Sequence, residues 1–297
     1  MNLHSSMNPP EEISVRIAAT QQDVSNPEAP AADRRRFDAE NLTTLLYPIV
    51  FGVLILILWQ TQVLHRMLGA DTFTLPLPGR ILTIIADNAP EILMNARATA
   101  IVALTGLLFG SMLGYLLGVI AAVFPKWGIG GLTVVSAFNA IPIIAVAPIL
   151  NNLTKDFSRD ADTRSMLAKI LVVTLMTMVV MSINAYRGLT ELKPYSEDLM
   201  KSYAARRTDV FFKLRVPNSV PFLFTALRVS VPGSVICALV SEYFAEYIVG
   251  VGRQIRENIV LAQYATAWAY ILTACLMGIL LYAILLAAEG SLLKGRR

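Results

Sequence analysis

Cysteine and histidine are almost missing from this chain of 297 residues, with two of each. Cys237 and Cys275 both fall inside apolar runs, so they read as small buried hydrophobes and give no disulfide framework. His4 sits in a polar leader and His65 between apolar segments, so there is no His/Cys cluster to hold a metal and no metal site is expected. The same poverty leaves no Ser/His constellation, which argues against an integral-membrane enzyme. Charge is scarce as well. Asp, Glu, Lys and Arg make up 15% of the chain, against about 25% in an ordinary soluble domain. A phosphate loop of the form GxxxxGK[ST] is absent, so the chain carries no nucleotide site of that kind.

What fills the chain instead is apolar sequence, at 55% of residues with a mean hydropathy of +0.58. Several runs exceed the roughly 20 residues that cross a bilayer core of about 30 Å. The expectation is an all-α polytopic membrane protein with about six transmembrane helices, at 43–64, 93–123, 130–152, 167–187, 219–241 and 264–290. Residues 1–41 hold Pro9, Pro10, Pro27 and Pro30 among charged and small polar residues, and read as a disordered tail ahead of a permease domain at 42–297. Arg34, Arg35 and Arg36 precede the first span, which predicts a cytoplasmic N-terminus. Six spans return the C-terminus to the same side, where Lys294, Arg296 and Arg297 belong. The loops at 65–92, 153–166 and 242–263 then face outward, with Glu242 and Glu246 expected near water. The net charge of +4 fits basic residues kept inside and calls for no nucleic-acid partner.

Two spans carry marked patterns. Gly106, Gly110, Gly114 and Gly118, continued by Ala122, form a stripe at a spacing of four, which lets another helix approach closely. The third span contains Asn139, Pro142 and Pro148. Each interior proline frees a carbonyl and bends the helix. Such breaks survive where backbone faces protein or a water-lined path, so these three are candidates for lining a pathway.

The polar interruption at 187–217, RGLTELKPYSEDLMKSYAARRTDVFFKLRVP, is long for a connection between spans. Pro194 suits a first helical turn, with Glu197 and Asp198 at the positive end of the dipole. Leu199, Tyr203, Val210, Phe211 and Leu214 fall near one helical face, and Thr208 could cap a second short helix ending near Pro217. The pattern predicts two amphipathic helices with the apolar side resting on the spans. A docking surface for a soluble partner and an interface for anionic lipid fit this pattern equally well.

The stretch DLMKSYAARRTDVFFKLRVPNSVPFLFTALRVS resembles the cytoplasmic loop of binding-protein-dependent ABC importer permeases of type I. That motif opens Glu-Ala-Ala, has Gly six positions on and closes with an apolar residue and Pro. Here Asp198 stands for the Glu, Leu199 and Met200 for the alanines, Ala204 for the Gly, and Val216-Pro217 matches the close. Alanine argues against a left-handed turn at residue 204, because Cβ disfavours positive φ. LPLPGRIL at 75–82, AIPIIAVAP at 140–148, ALRVS at 226–230 and GVGRQI at 250–255 extend the likeness toward the taurine, alkanesulfonate, nitrate and pyrimidine-precursor branch.

The resemblance implies a bacterial inner-membrane permease subunit that is not itself an enzyme. A pair of cytosolic subunits would bind ATP and Mg in its place. The other implied partners are a periplasmic or lipid-anchored solute-binding protein, a second permease chain, as a homodimer, and membrane lipid. Asp198, Ser202, Tyr203, Ala204, Ala205, Arg206 and Pro217 would form the ATPase-coupling loop. An ion-coupled secondary transporter is the alternative. It commonly needs ionisable groups within the membrane, which the middles of spans one, three, four and six lack, and often two similar halves, which the sequence does not show.

Overall fold

The computed structural model describes residues 46–154, 161–244 and 249–293. The tail predicted at 1–41 and Glu246 lie outside them. Two compact units divide the chain, Met1–Leu68 and Gly69–Arg297. In the first, the apolar helix α1 (Leu46–Gln60) is followed by α2 (Val63–Leu68). Gln62 between them has φ 63°, so the predicted first span is broken where it was expected to be continuous.

The second unit opens with α3 (Pro78–Asp87), started by a proline that needs no N–H partner in the first turn. Its Ile81 and Ile84 are buried. Next come α4 (Ala89–Val123), α5 (Pro125–Ala137), α6 (Ile143–Leu153) and α7 (Ala161–Thr190). After α7 lie α8 (Ser196–Ser202), α9 (Arg207–Val210), α10 (Val216–Tyr243), α11 (Val251–Val260) and α12 (Tyr264–Leu293). The described residues include no strand. Four helical stretches, Ala89–Val123, Thr163–Thr190, Arg207–Tyr243 and Tyr264–Ser291, are long and apolar enough to cross a membrane.

The predicted third span is not one helix. Gly128–Ala140 and Ile143–Leu150 meet at 94°. Pro142 causes the break. Ile141 before it is extended, at φ −80° and ψ 122°, as the proline ring demands of its predecessor, and Pro142 itself heads α6. Pro148, inside α6, leaves that helix intact.

Glycine sets how α4 and α7 pack. A Cβ on Gly106 would lie 2.5 Å from Val173 Cβ, one on Gly114 2.5 Å from the Met178 carbonyl, and one on Gly118 2.6 Å from Ala185 Cβ. On Gly110 it would strike Thr177 Oγ1. Residue numbers rise together along this contact, so α4 and α7 run parallel, and the α5–α6 pair carries the chain back between them. Thr177 and Thr174 donate to the Gly106 carbonyl at 3.3 and 3.4 Å, a bond only a backbone this close can receive. All four glycines of the stripe face α7 at this close range.

α10 runs antiparallel to α7. At one end, a Cβ on Gly188 would come within 2.8 Å of Ser219 Cα. Val102 and Ala103 of α4, Val173 of α7, Val235, Cys237 and Ala238 of α10 and Met277 of α12 share a buried apolar core. Arg228 and Glu289 tie α10 to α12 through two hydrogen bonds of 2.9 and 2.7 Å, so Arg228 has a fixed partner. The two cysteines part company: Cys237 is buried as expected, whereas Cys275 is exposed on α12. In a bilayer its thiol can face lipid at little cost, which sequence hydropathy cannot distinguish from burial in protein.

Candidate functional site

Two polar constructions occupy opposite ends of the bundle. Lys169 and Gly188 mark those ends on α7, and 19 residues of helix separate them by roughly 30 Å, about one hydrocarbon thickness.

At the Gly188 end lies the 191–217 segment. Helix α7 continues to Thr190, and Arg187 donates to Glu191 at 2.8 and 3.3 Å. That hydrogen bond holds the Glu191 carboxyl below its ordinary range. Asn218 Nδ2 donates to the Gly188 carbonyl at 2.8 Å and the Glu191 carbonyl at 3.0 Å, clamping the start of α10 onto the end of α7. Arg215 reaches Glu197 at 3.4 Å and so fastens α8 to the same base. The loop is thereby tied to the ends of two long helices.

α8 is bracketed by left-handed backbone. Tyr195 before it has φ 62° and Ala204 after it φ 53°. The expectation that alanine would forbid the turn at 204 is therefore overturned. The Ala204 N–H donates to the Lys201 carbonyl at 2.9 Å and the Ala205 N–H to the Met200 carbonyl at 3.1 Å. This is the Schellman pairing that closes a helix, with its left-handed position occupied by alanine. Satisfying two terminal carbonyls offsets the cost of about 1–2 kcal/mol that Cβ imposes there.

The amphipathic expectation is also corrected. Leu199 is 59% exposed and Tyr203 78% exposed, so both point away from the spans, while Val210 is buried. Thr208 caps nothing: α9 begins at Arg207 with Arg206 before it and no side-chain cap. Nor does a second short helix end near Pro217. It passes through a π turn, Phe211–Arg215, into α10. Pro217 supplies no N–H to the turn before it, and the wider π turn precedes it there. Asp198 bonds Lys201 at 3.3 Å, and Ser202 donates to the Leu199 carbonyl at 2.8 Å. Arg206 is exposed beside half-buried Ala205. Six of the seven candidates, all but Pro217, are thus gathered at one largely exposed turn.

At the Lys169 end, three successive backbone N–H groups dock into α4 and α10. Gly250 N donates to Asn95 Oδ1, Val251 N to Thr99 Oγ1 and Gly252 N to Glu242 Oε2, each at 2.9 Å. Thr99 also donates to Glu242 Oε2 at 2.9 Å. Gly250 stands at φ 127°, and a Cβ there would collide with the Glu242 carboxylate, so glycine is required twice over. Glu242 was expected near water and is instead fully buried. Hydropathy could not reveal this, because its neighbours in space come from α4 and from the far side of a loop. Thr99→Val keeps the volume but removes the acceptor of a buried N–H. The expected loss is about 1–3 kcal/mol, readable as a lower melting temperature of the purified protein with Thr99→Ser close to wild type.

The structure does not bring Asn139, Pro142 and Pro148 into either construction. All three are exposed along the bent α5–α6 pair. Sequence reading missed Asn95, Thr99 and Lys169. Asn95 and Thr99 share an i, i+4 face, the one signal that could have paired them.

Residues 110–294, more than half of the chain, match the family model described as binding-protein-dependent transport system inner membrane component. The chain belongs to that family. It is a multi-pass membrane permease, one component of a transport system that depends on a separate binding protein. The permease is 28% identical over 261 residues to the formylaminopyrimidine transport permease protein ThiX of Halalkalibacterium halodurans, covering 85% of this chain and 96% of that one. It is 24% identical over 200 residues to a probable ABC transporter permease protein of Haemophilus influenzae, covering 67% of this chain and 77% of that one.

Proposed function

We propose that this permease forms the membrane path of an ATP-driven importer for a small nitrogen-containing organic solute, and that α8 with its flanking turn couples it to a separate cytosolic ATP-binding subunit. The observation that carries the coupling is the exposed 195–206 turn, tied to the ends of α7 and α10. Its strained residues persist because the clamp at Asn218 and Arg215 over-determines them. Tyr195, Leu199 and Tyr203 stand exposed on it at 84%, 59% and 78%, an aromatic-rich surface suited to burial against a partner. Arg187, Lys193, Lys201, Arg206, Arg207, Lys213 and Arg215 belong to the same stretch of chain, and the bias of basic residues toward the inside supports a cytoplasmic position for this end. The family is one of binding-protein-dependent systems, which favours the importer reading over an ion-coupled carrier. A pyrimidine precursor is favoured as solute because the ThiX relative is described as a formylaminopyrimidine permease over nearly its whole length. Two chains pairing as a homodimer, with a solute-binding protein on the opposite face, complete the assembly. ATP and Mg belong to the ATP-binding partners.

The test is labelling and capture from native membranes. In a Cys275→Ser background, Ser202→Cys should react with an impermeant maleimide only from the cytoplasmic face and Leu261→Cys only from outside. The tagged wild-type chain should bring down a protein carrying a GxxxxGK[ST] peptide. Labelling of both sites from one face would defeat the topology. Capture without any ATP-binding protein would defeat the coupling.

A further inference from the structure

At the Lys169 end, beside the docked Gly250–Gly252 segment, is a cavity of about 250 Å³ between α4, α7 and α10, lined by Ala98, Ile101, Val102, Ser165, Met166, Lys169, Glu242 and Val249. Five of these eight are apolar, and the other three, Ser165, Lys169 and Glu242, are polar. Glu242 spends one oxygen, Oε2, on Thr99 and Gly252. Its other oxygen, Oε1, is buried without a partner among the described residues, and so is Ser165 Oγ. Lys169 is 7% exposed and donates to the Val249 carbonyl at 3.3 Å. A buried carboxylate oxygen with no donor is costly, and ionisable groups at membrane depth mark a pathway or site by default.

We propose that this cavity is a solute site of the permease, and that it takes a small, flat, neutral heterocycle with an amino group on its edge, such as an aminopyrimidine. The inference rests on the importer reading and adds the place and manner of recognition. Glu242 Oε1 accepts the amino N–H. Ser165 Oγ donates to a ring nitrogen or exocyclic oxygen. Ala98, Ile101, Val102 and Met166 cover the ring faces. One ammonium and one carboxylate in the same wall leave no net charge, so a simple anion meets Glu242 and a simple cation meets Lys169. A compact zwitterion satisfies both charges but leaves the apolar walls without contacts, which is why a ring fits better. The volume admits one ring with a short substituent. Selectivity then arises as in other hydrogen-bonding sites: an analogue that lacks the amino group leaves Glu242 Oε1 unpaired.

The permease in lipid nanodiscs, captured with its ATP-binding subunit, is titrated with 4-amino-2-methylpyrimidine and with 2-methylpyrimidine by calorimetry. The wild type should bind the amine at least tenfold more tightly. Glu242→Gln, which turns the free oxygen into an NH2 donor, should erase that preference. Ala98→Leu and, as a second plug at the rim, Met166→Trp should abolish binding while still capturing the ATP-binding subunit, whose loop is at the other end. Equal binding by the wild type and both plugged variants would overturn the site. An unchanged preference in Glu242→Gln would overturn the recognition mode. Binding of an aminoalkanesulfonate in place of the amine would overturn the solute class. ATP-binding-subunit capture is read independently, so a failure here leaves the coupling proposal standing.

Discussion

Gly114→Leu should leave little folded permease in the membrane. The glycine faces backbone atoms of α7, with the Met178 carbonyl 2.5 Å and the Ser182 nitrogen 3.1 Å from where a Cβ would stand. Backbone in a helix cannot swing aside as a flexible side-chain tip can, so α4 and α7 must separate. Overpacking of ordinary cores costs about 1–3 kcal/mol, and a clash with main chain along a shared stripe lies at or above the top of that range. Against a total stability of about 5–15 kcal/mol, yield after detergent extraction should fall severalfold and the melting temperature with it. Gly278→Leu is the control, because nothing lies within 4 Å of that glycine. Equal yield and melting for Gly114→Leu and wild type would mean that the stripe does not set the helix spacing.

Ala204→Trp should uncouple transport while leaving the bundle intact. Residue 204 is exposed, so the indole meets no internal neighbour, and the left-handed turn already tolerates a Cβ. A bulky ring at the centre of the 195–206 turn would prevent it from seating in a partner. Losing a central interface anchor typically costs upwards of 1 kcal/mol, and blocking the seat costs more. The expected result is normal membrane yield with at least tenfold less captured ATP-binding subunit, and uptake close to background. Ala204→Gly serves as the companion: it keeps the turn and relieves its Cβ, so capture should match wild type. If Ala204→Trp captures the subunit and transports normally, the turn is not the coupling element, and anionic-lipid binding by Arg206 and Arg207 becomes the reading to pursue.

Much was legible in the residues alone because the driving term is additive along the chain. Apolar runs of about 20 residues announce spans without knowledge of neighbours. The glycine stripe announces close packing because its spacing matches the helix repeat. Pro142 announces a break because the ring acts on its own backbone. The size of that break, 94°, did not follow, since a proline fixes where a helix yields and the packing on either side fixes how far.

The 187–217 interruption shows where local reasoning failed. An amphipathic face was read from Leu199 to Leu214, yet Leu199 and Tyr203 are turned outward. Periodicity assumes a continuous helix, and the left-handed turn at Ala204 rotates everything before it relative to everything after. The preference of Gly for such turns is a propensity of about 1–2 kcal/mol, and the two hydrogen bonds of the Schellman closure together with the Asn218 and Arg215 clamp outweighed it.

By itself, the sequence determined the class of this protein: a helical membrane permease with a basic loop between its spans and no phosphate loop of the form GxxxxGK[ST]. Those properties sum over single residues or short repeats. Only the tertiary structure decided that Gly250, Val251 and Gly252 hang from Asn95, Thr99 and Glu242, and that Glu242, Ser165 and Lys169 share one cavity. Those groups are joined by helix packing across as many as 155 positions of chain. Where a carboxylate sits near a span's end, hydropathy assigns it to water. The close approach set by small residues between α4, α7 and α10 placed Glu242 inside.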